Sequence, residues 1–186
     1  MKSSSSTLQT VLVTIATGLV VAIVAVLAIA YSGVVNVGAT NAPLRPLEWF
    51  LSTTREHSVA AHASLITAPS LESAKMRKVG AEHFQEMCVS CHGAPGVSPT
   101  EAALGLEPPA PKLYEGPSVK DDEAREMFWI VKNGIQMTGM PSFGKTHDDQ
   151  KIWAIIAFVK QMRGMSPEQY KKVADSVGKD AKDDNG

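Results

Sequence analysis

The sequence predicts an all-α protein in which one apolar N-terminal helix precedes a separate helical domain. Residues 11–31 form an almost uninterrupted apolar run, and several later segments repeat apolar residues at helical spacing. No segment alternates apolar and polar residues as a half-exposed strand does. With 186 residues, the chain has room for one domain of ordinary size and an appendage.

The apolar run is long enough to cross a membrane. There is no charged residue between Lys2 and Arg45. A helix over residues 11–31 would be roughly 31 Å long at a rise of ~1.5 Å per residue, about the thickness of the hydrocarbon core of a bilayer. Only a helix pairs the backbone polar groups of one segment internally in lipid. We therefore predict one transmembrane helix at 11–31, with residues 1–10 in the cytoplasm.

A cleaved signal peptide is the alternative interpretation of the same run. Ala28 and Ala30 have the small-x-small arrangement of a cleavage site, so cleavage would follow Ala30. The run is longer than the ~7–15 apolar residues of a signal peptide, which favours a retained anchor. Lys2 and the terminal amine favour a cytoplasmic N-terminus. Both interpretations place the rest of the chain on the periplasmic side of the inner (cytoplasmic) membrane.

Residues 32–69 are predicted to form an irregular exit segment followed by a juxtamembrane helix. The helix begins near Pro46 and ends before Pro69. Trp49 suits either the lipid headgroup level or packing on the soluble domain. His57 and His62 are five residues apart, which does not place two imidazoles on one helical face. We interpret both as solvated or packed residues rather than as metal or haem ligands.

Three main helices and long loops are predicted for residues 70–165. The first helix leads into "MCVSCHG", and a proline-rich loop at 93–117 follows it. A loop of that length in a compact domain indicates that it wraps a ligand. Acidic residues open the second helix at Asp121 and an Asn-Gly pair ends it. Thr146 and Asp149 suggest a capping box for the third helix. For 166–186 we expect one weak helix and a frayed charged tail.

The formal net charge of −1 gives the chain no polyelectrolyte character. Nucleic-acid-binding domains usually carry a strong excess of lysine and arginine on one face. We therefore predict no nucleic-acid partner.

The motif Cys88-x-x-Cys91-His92 contains the only cysteines of the chain. Two thiols on one helical turn can add to the two vinyl groups of a haem, and the following imidazole can meet the iron from the same side. A thioredoxin-type redox pair has the same spacing but belongs to a βαβ fold, for which there is no strand signal. A zinc site needs further ligands that the chain does not offer. We predict one covalently bound haem c.

With His92 as the proximal axial ligand, the distal ligand has to come from another segment. The thioether of methionine favours ferrous iron and raises the potential, as suits an electron carrier. Met137 and Met140 both lie in the loop "QMTGMPS" between two predicted helices. Each is also an acceptable core methionine. Pro141 stiffens the backbone beside Met140, so Met140 is the preferred ligand and Met137 the alternative.

These motifs together resemble class I cytochromes c over approximately Ser70 to Met165, about half of the chain. The matching features are Gly80 and Phe84 before "CVSCHG", then "NGIQMTGMPSFG", and Trp153 in the last main helix. The resemblance implies a cytochrome c fold in which Gly80 and Phe84 lie where the first and last helices cross. It also implies that Trp153 packs on the haem edge and that Met140 is the distal ligand. The segment at 32–63 is similar to N-terminal regions of small membrane-anchored cytochromes that accompany membrane oxidoreductases.

The function expected from these features is one-electron transport by a monohaem cytochrome in the membrane, with its haem domain in the periplasm. Two strong axial ligands leave no room for a substrate at the iron, so we do not expect an enzyme. Its partners would be the lipid bilayer and membrane redox proteins. One alternative is a fixed electron-transfer subunit of a larger oxidoreductase or photosynthetic complex. A less favoured one is a haem sensor or enzyme with an open distal site.

Overall fold

The computed structural model describes residues 3–41 and 43–183, with side chains described over 6–41 and 43–177. Its helices are α1 Ser3–Ser32, α2 Arg45–Ala63, α3 Ala74–His83, α4 Val89–His92, α5 Glu101–Leu104, α6 Asp121–Asn133, α7 Asp149–Met162 and α8 Pro167–Asp183. A π-helical turn, Phe84–Cys88, joins α3 to α4, and a 3-10 turn, Phe143–Lys145, precedes α7. Within the described ranges the only extended pairing is a bridge between Ala94 and Val97. The prediction of an all-α chain is confirmed.

The chain divides into two compact units at the boundary between Ala42 and Pro43. The first unit contains α1, whose segment Ser6–Ser32 is long and apolar enough to cross a membrane, with a mean hydropathy of 2.8 over its most apolar 18 residues. A signal sequence near an N-terminus has the same properties. The helix begins at Ser3, before the predicted start of the span at residue 11, and within this extension Thr10 donates its hydroxyl to the Ser6 carbonyl at 2.9 Å.

The second unit begins with α2, whose two halves have different surroundings. Its N-terminal half is exposed, whereas Val59 and Ala63 near its C-terminus are buried. The ring of His62 packs against that of Trp129 in α6, with centroids 5.3 Å apart. The C-terminal half of α2 is thus attached to the domain through α6, and the helix ends before Pro69, as predicted.

The core of the second unit is built where α3 crosses α7. A Cβ atom on Gly80 would lie 1.8 Å from the carbonyl oxygen of Ala154, so only glycine permits this approach. One turn further along, the rings of Phe84 and Phe158 pack with centroids 5.5 Å apart. The crossing implied by the family resemblance for Gly80 and Phe84 is present. Helix α7 is buried from Ile152 to Val159, which explains its lack of a polar face.

Two predictions at the C-terminal end were wrong. The N-cap of α7 is Asp148, whose carboxylate accepts from the Lys151 amide at 2.8 Å, and not Thr146. Thr146 instead donates to the carbonyl of Phe143 at 3.3 Å, within the turn before the helix. The predicted terminal helix is present but longer than expected, since α8 continues to Asp183.

Helix α8 is stabilised by residues of its own that are buried in the core. Tyr170 is 1% exposed, and its hydroxyl accepts from the Gln85 side-chain amide at 2.7 Å. Val177, two turns later, is also buried. Helix α8 therefore packs on α3 and the π-turn as part of the core, and most of the tail expected to be frayed is helical. Residues 184–186 lie outside the described residues.

The α3–α7 crossing can be tested with Gly80→Ala. The added methyl group meets backbone rather than a flexible side chain, so the helices have to separate, at an expected cost of about 1–3 kcal/mol in the free energy of unfolding. Gly164→Ala is the matched control, because nothing lies within 4 Å of its added Cβ. Guanidinium titration of the haem-loaded proteins measures both values. Equal stabilities for the two variants would contradict the close crossing.

Candidate functional site

The cysteine motif lies on a continuous helical path whose pitch changes at the motif. Helix α3 leads into the π-turn Phe84–Cys88, in which the Val89 amide donates to the Phe84 carbonyl, five residues earlier. Such turns occur frequently at functional sites, since the extra residue reorients the side chains that follow. Gly93 ends α4 with a φ of 63°, and its Cβ would lie 2.8 Å from the Val97 carbonyl oxygen. Cys88, Cys91 and His92 are thus held on one short helical segment.

The two thiols are free and differ in exposure. Cys88 is buried and Cys91 is half-buried. Burial, and to a smaller degree the neighbouring Cys91, raises the pKa of the Cys88 thiol to about 12. A dithiol redox centre depends on a thiol of lowered pKa that reacts as the thiolate. The environment of Cys88 therefore does not favour its thiolate.

His92 is buried and oriented by one hydrogen bond. Its Nδ1 lies 2.7 Å from the carbonyl oxygen of Pro111. Because a carbonyl can only accept, Nδ1 carries the proton and Nε2 keeps its lone pair for a metal. Burial lowers the pKa of His92, although the Pro111 carbonyl acts in the opposite direction. The neutral imidazole is the form that ligates iron.

The residue that orients His92 belongs to the proline-rich loop, which is attached to the helices at both ends. At the near end, the Thr100 amide and hydroxyl both donate to the Ser90 carbonyl, at 2.9 and 3.0 Å. At the far end, Arg163 donates to the carbonyls of Leu113 and Pro117, each at 3.0 Å. Pro111 lies between these two attachments, so its carbonyl is held in place.

Arg163 also forms an ion pair that links two helices. Its guanidinium lies 2.7 Å from the carboxylate of Glu123 in the first turn of α6, and its side chain is 9% exposed. Sequence reasoning missed both Arg163 and Pro111 as parts of the site. The available signal was weak: a basic residue directly after the buried stripe of α7, and a loop predicted to wrap a ligand.

The two candidate methionines have different positions. Met137 is 87% exposed and has a φ of 59°, so it is at the tip of a tight turn. Met140 is half-buried and packs against the core cluster that contains Cys88. The Met140 amide donates to the Thr138 hydroxyl at 3.1 Å, and its carbonyl accepts from the Ile135 amide at 3.1 Å. Of the two thioethers, that of Met140 is therefore the one held at the core.

Aromatic residues form another part of the same cluster. Trp153 stacks on Phe128 with centroids 4.2 Å apart and an angle of 12° between the rings. Cys88 belongs to the same core cluster as these two residues. This stack joins α6 to α7 through two parallel aromatic rings within that cluster.

The donor atoms of these residues fit a haem. Two sulfurs at the attachment spacing, an imidazole with a free Nε2 and a half-buried thioether match the ligands of c-type haem. Over the part of the chain that the structure describes, no group of three or more His, Cys, Asp or Glu side chains could hold another metal ion.

Comparison with known families agrees with this chemistry. Residues 76–159, which include the motif, both candidate methionines and most of α7, form a c-type cytochrome domain. They match the family model described as cytochrome C oxidase, cbb3-type, subunit III. No curated protein and no solved structure was found to match the chain. A domain of this class carries covalently bound haem and transfers electrons.

The attachment of the loop can be tested with Arg163→Leu. This change removes two hydrogen bonds and leaves Glu123 unpaired, so we expect the free energy of unfolding to fall by about 2–3 kcal/mol. Lys112→Met is the control, because Lys112 and Glu115 form an exposed pair in the same loop at 3.0 Å and exposed pairs add little. Denaturant titration of the holoproteins measures the difference. Similar losses for the two variants would show that Arg163 does not hold the loop.

Proposed function

We propose that this protein is a membrane-anchored monohaem cytochrome c that carries single electrons between redox partners at the periplasmic face of the inner membrane. The observation that supports it best is the orientation of His92 by the Pro111 carbonyl, directly after a cysteine pair at haem-attachment spacing. The c-type cytochrome domain at 76–159 and the candidate span Ser6–Ser32 agree with the same proposal.

Four side chains would hold the cofactor. Cys88 and Cys91 would form the thioether bonds, His92 would supply Nε2 as the proximal ligand, and Met140 would supply the distal thioether. A haem held in this way would supply one-electron transfer between its ferric and ferrous states. With both of these side chains bound to the iron, no open position would remain for a substrate. An electron carrier, rather than an enzyme, follows from that ligand set.

The proposed number of haems is one. The sequence contains two cysteines, and they form a single C-x-x-C-H motif. Each c-type haem uses one such motif. Intact-mass measurement of the membrane-purified protein tests this number by the added mass of one haem, and it also distinguishes a retained anchor from cleavage after Ala30.

Anchoring would determine which partners the haem meets. A single N-terminal span with its amino end in the cytoplasm places the second unit in the periplasm. Tethering replaces bulk diffusion by a high local concentration near membrane redox proteins. The donor would be a reduced one-electron protein or complex in the same membrane, and the acceptor an oxidised one.

A fixed subunit of a larger complex is the second candidate function. It is favoured by one observation, the match of residues 76–159 to a family model described as an oxidase subunit. Purification from native membranes in mild detergent separates the two functions. A stoichiometric set of partner subunits would rule out the free shuttle, whereas a lone haem protein would rule out the fixed subunit.

The distal ligand can be tested with Met140→Ala. Loss of the thioether removes stabilisation of the ferrous state, so the reduction potential should fall by on the order of 0.1 V, within the roughly 0.8 V over which axial ligands act. The reduced variant should also bind carbon monoxide, since the iron now has an open position. Redox titration and absorption spectroscopy measure these two effects.

Met137→Ala is the matched control for that experiment. Met137 is exposed and lies three residues away in the same turn, so its removal should change neither the potential nor carbon monoxide binding. The reverse result would make Met137 the ligand. Binding of carbon monoxide by the reduced unaltered protein at neutral pH would support a haem sensor or enzyme with an open distal site.

A further inference from the structure

The N-terminal half of α2 carries an apolar surface that no described part of the domain covers. All residues from 45 to 51 are exposed. Trp49 is 68% exposed and Phe50 is 58% exposed, and Leu47 and Leu51 are exposed as well. Four large apolar side chains within five residues are unusual on a free protein surface, and such patches generally mark an interaction site.

Most of this surface points away from the domain. At roughly 100° per residue, Leu47, Phe50 and Leu51 fall within about 100° of one another around the helix axis. By the same rotation, the buried residues Val59 and Ala63 fall on nearly the opposite side. We call Leu47, Phe50 and Leu51 the α2 apolar face. The contact with α6 therefore leaves this face free.

The surroundings of the α2 apolar face resemble those of a helix that lies on a membrane. Trp49 and Phe50 line one shallow groove with Thr53, Thr54, His57 and Ser58, so aromatic rings and small hydroxyls lie side by side. Arg45 and Glu48 are exposed near the start of the same helix. Aromatic and leucine side chains on one side, with charged residues on the other, are typical of interfacial helices.

Chain length keeps α2 close to lipid. Twelve residues, 33–44, separate the candidate span that ends at Ser32 from the start of α2. A fully extended chain covers at most about 3.5 Å per residue, so α2, which begins at Arg45, lies no more than about 45 Å from the end of the span. A bilayer surface is thus always within reach of this face, whereas a partner protein has to be recruited.

We infer that the α2 apolar face binds the lipid surface of the membrane that anchors the chain, with Leu47, Phe50 and Leu51 at the boundary between headgroups and acyl chains. The contact of His62 with Trp129 joins the other half of α2 to α6, so a membrane-bound α2 restricts the rotation of the haem domain. The inference rests on the anchoring part of the proposed function and is independent of the haem ligands.

The test uses the full-length holoprotein in nanodiscs of phosphatidylcholine and phosphatidylglycerol. A nitroxide spin label is attached to Phe50→Cys or to Leu51→Cys, with Glu56→Cys as the control on another side of the same helix. In the holoprotein the native cysteines are thioethers, so only the introduced thiol reacts. Power-saturation spectroscopy then compares the accessibility of each label to oxygen, which concentrates in lipid, and to a water-soluble nickel chelate.

We expect the ratio of oxygen to nickel accessibility to be several-fold higher at positions 50 and 51 than at position 56. Equal ratios in a chain that stays with the nanodiscs would overturn the inference alone. Labels at 50 and 51 that are shielded from both reagents, or broadened by a second label, would assign the face to a protein surface and overturn it as well. A chain that separates from the nanodiscs would overturn both the inference and the proposed anchor, while the haem spectrum reports independently on ligation.

Discussion

The hydrogen bond from His92 to the carbonyl of Pro111 is the constraint on which the rest of the site depends. It assigns the ring proton to Nδ1 and leaves the lone pair of Nε2 free. The acceptor lies in the non-helical segment between α5 and α6, so the position of His92 depends on how firmly that segment is held. Thr100 and Arg163 hold the loop at opposite ends. Thr100 donates to the carbonyl of Ser90, and Arg163 donates to the carbonyl of Leu113.

The helical core positions the cysteine segment. The crossing of α3 and α7 at Gly80 lies one helical turn before the π-turn that leads into the cysteine segment. Helix α6 adds Phe128 against Trp153 and presents Glu123 to the guanidinium of Arg163. The same helices thus form the hydrophobic core and hold the far end of the loop that contains Pro111, so the stability of the core and the orientation of His92 are coupled in this fold.

The features that could be predicted from sequence are those encoded over short spans. The Cys88 to His92 motif can be recognised because its chemistry requires a spacing within one helical turn. The N-terminal run can be recognised because the thickness of the lipid bilayer sets its length. Pro111 and Arg163 could not be predicted, since the partners of Arg163 lie about fifty residues away and become neighbours only in the fold. Tyr170 was missed for the same reason, as its hydroxyl pairs with Gln85. A capping-box pattern was present at Thr146, but Asp148 directly precedes α7 and is the residue that caps it.

The burial of Cys88 has a consequence for how the protein is assembled. In the folded domain this sulfur is buried in the core, and burial raises the pKa of its thiol. Under the proposed function, haem attachment at Cys88 would have to precede the burial of this sulfur. The domain would then close around a cofactor already in place.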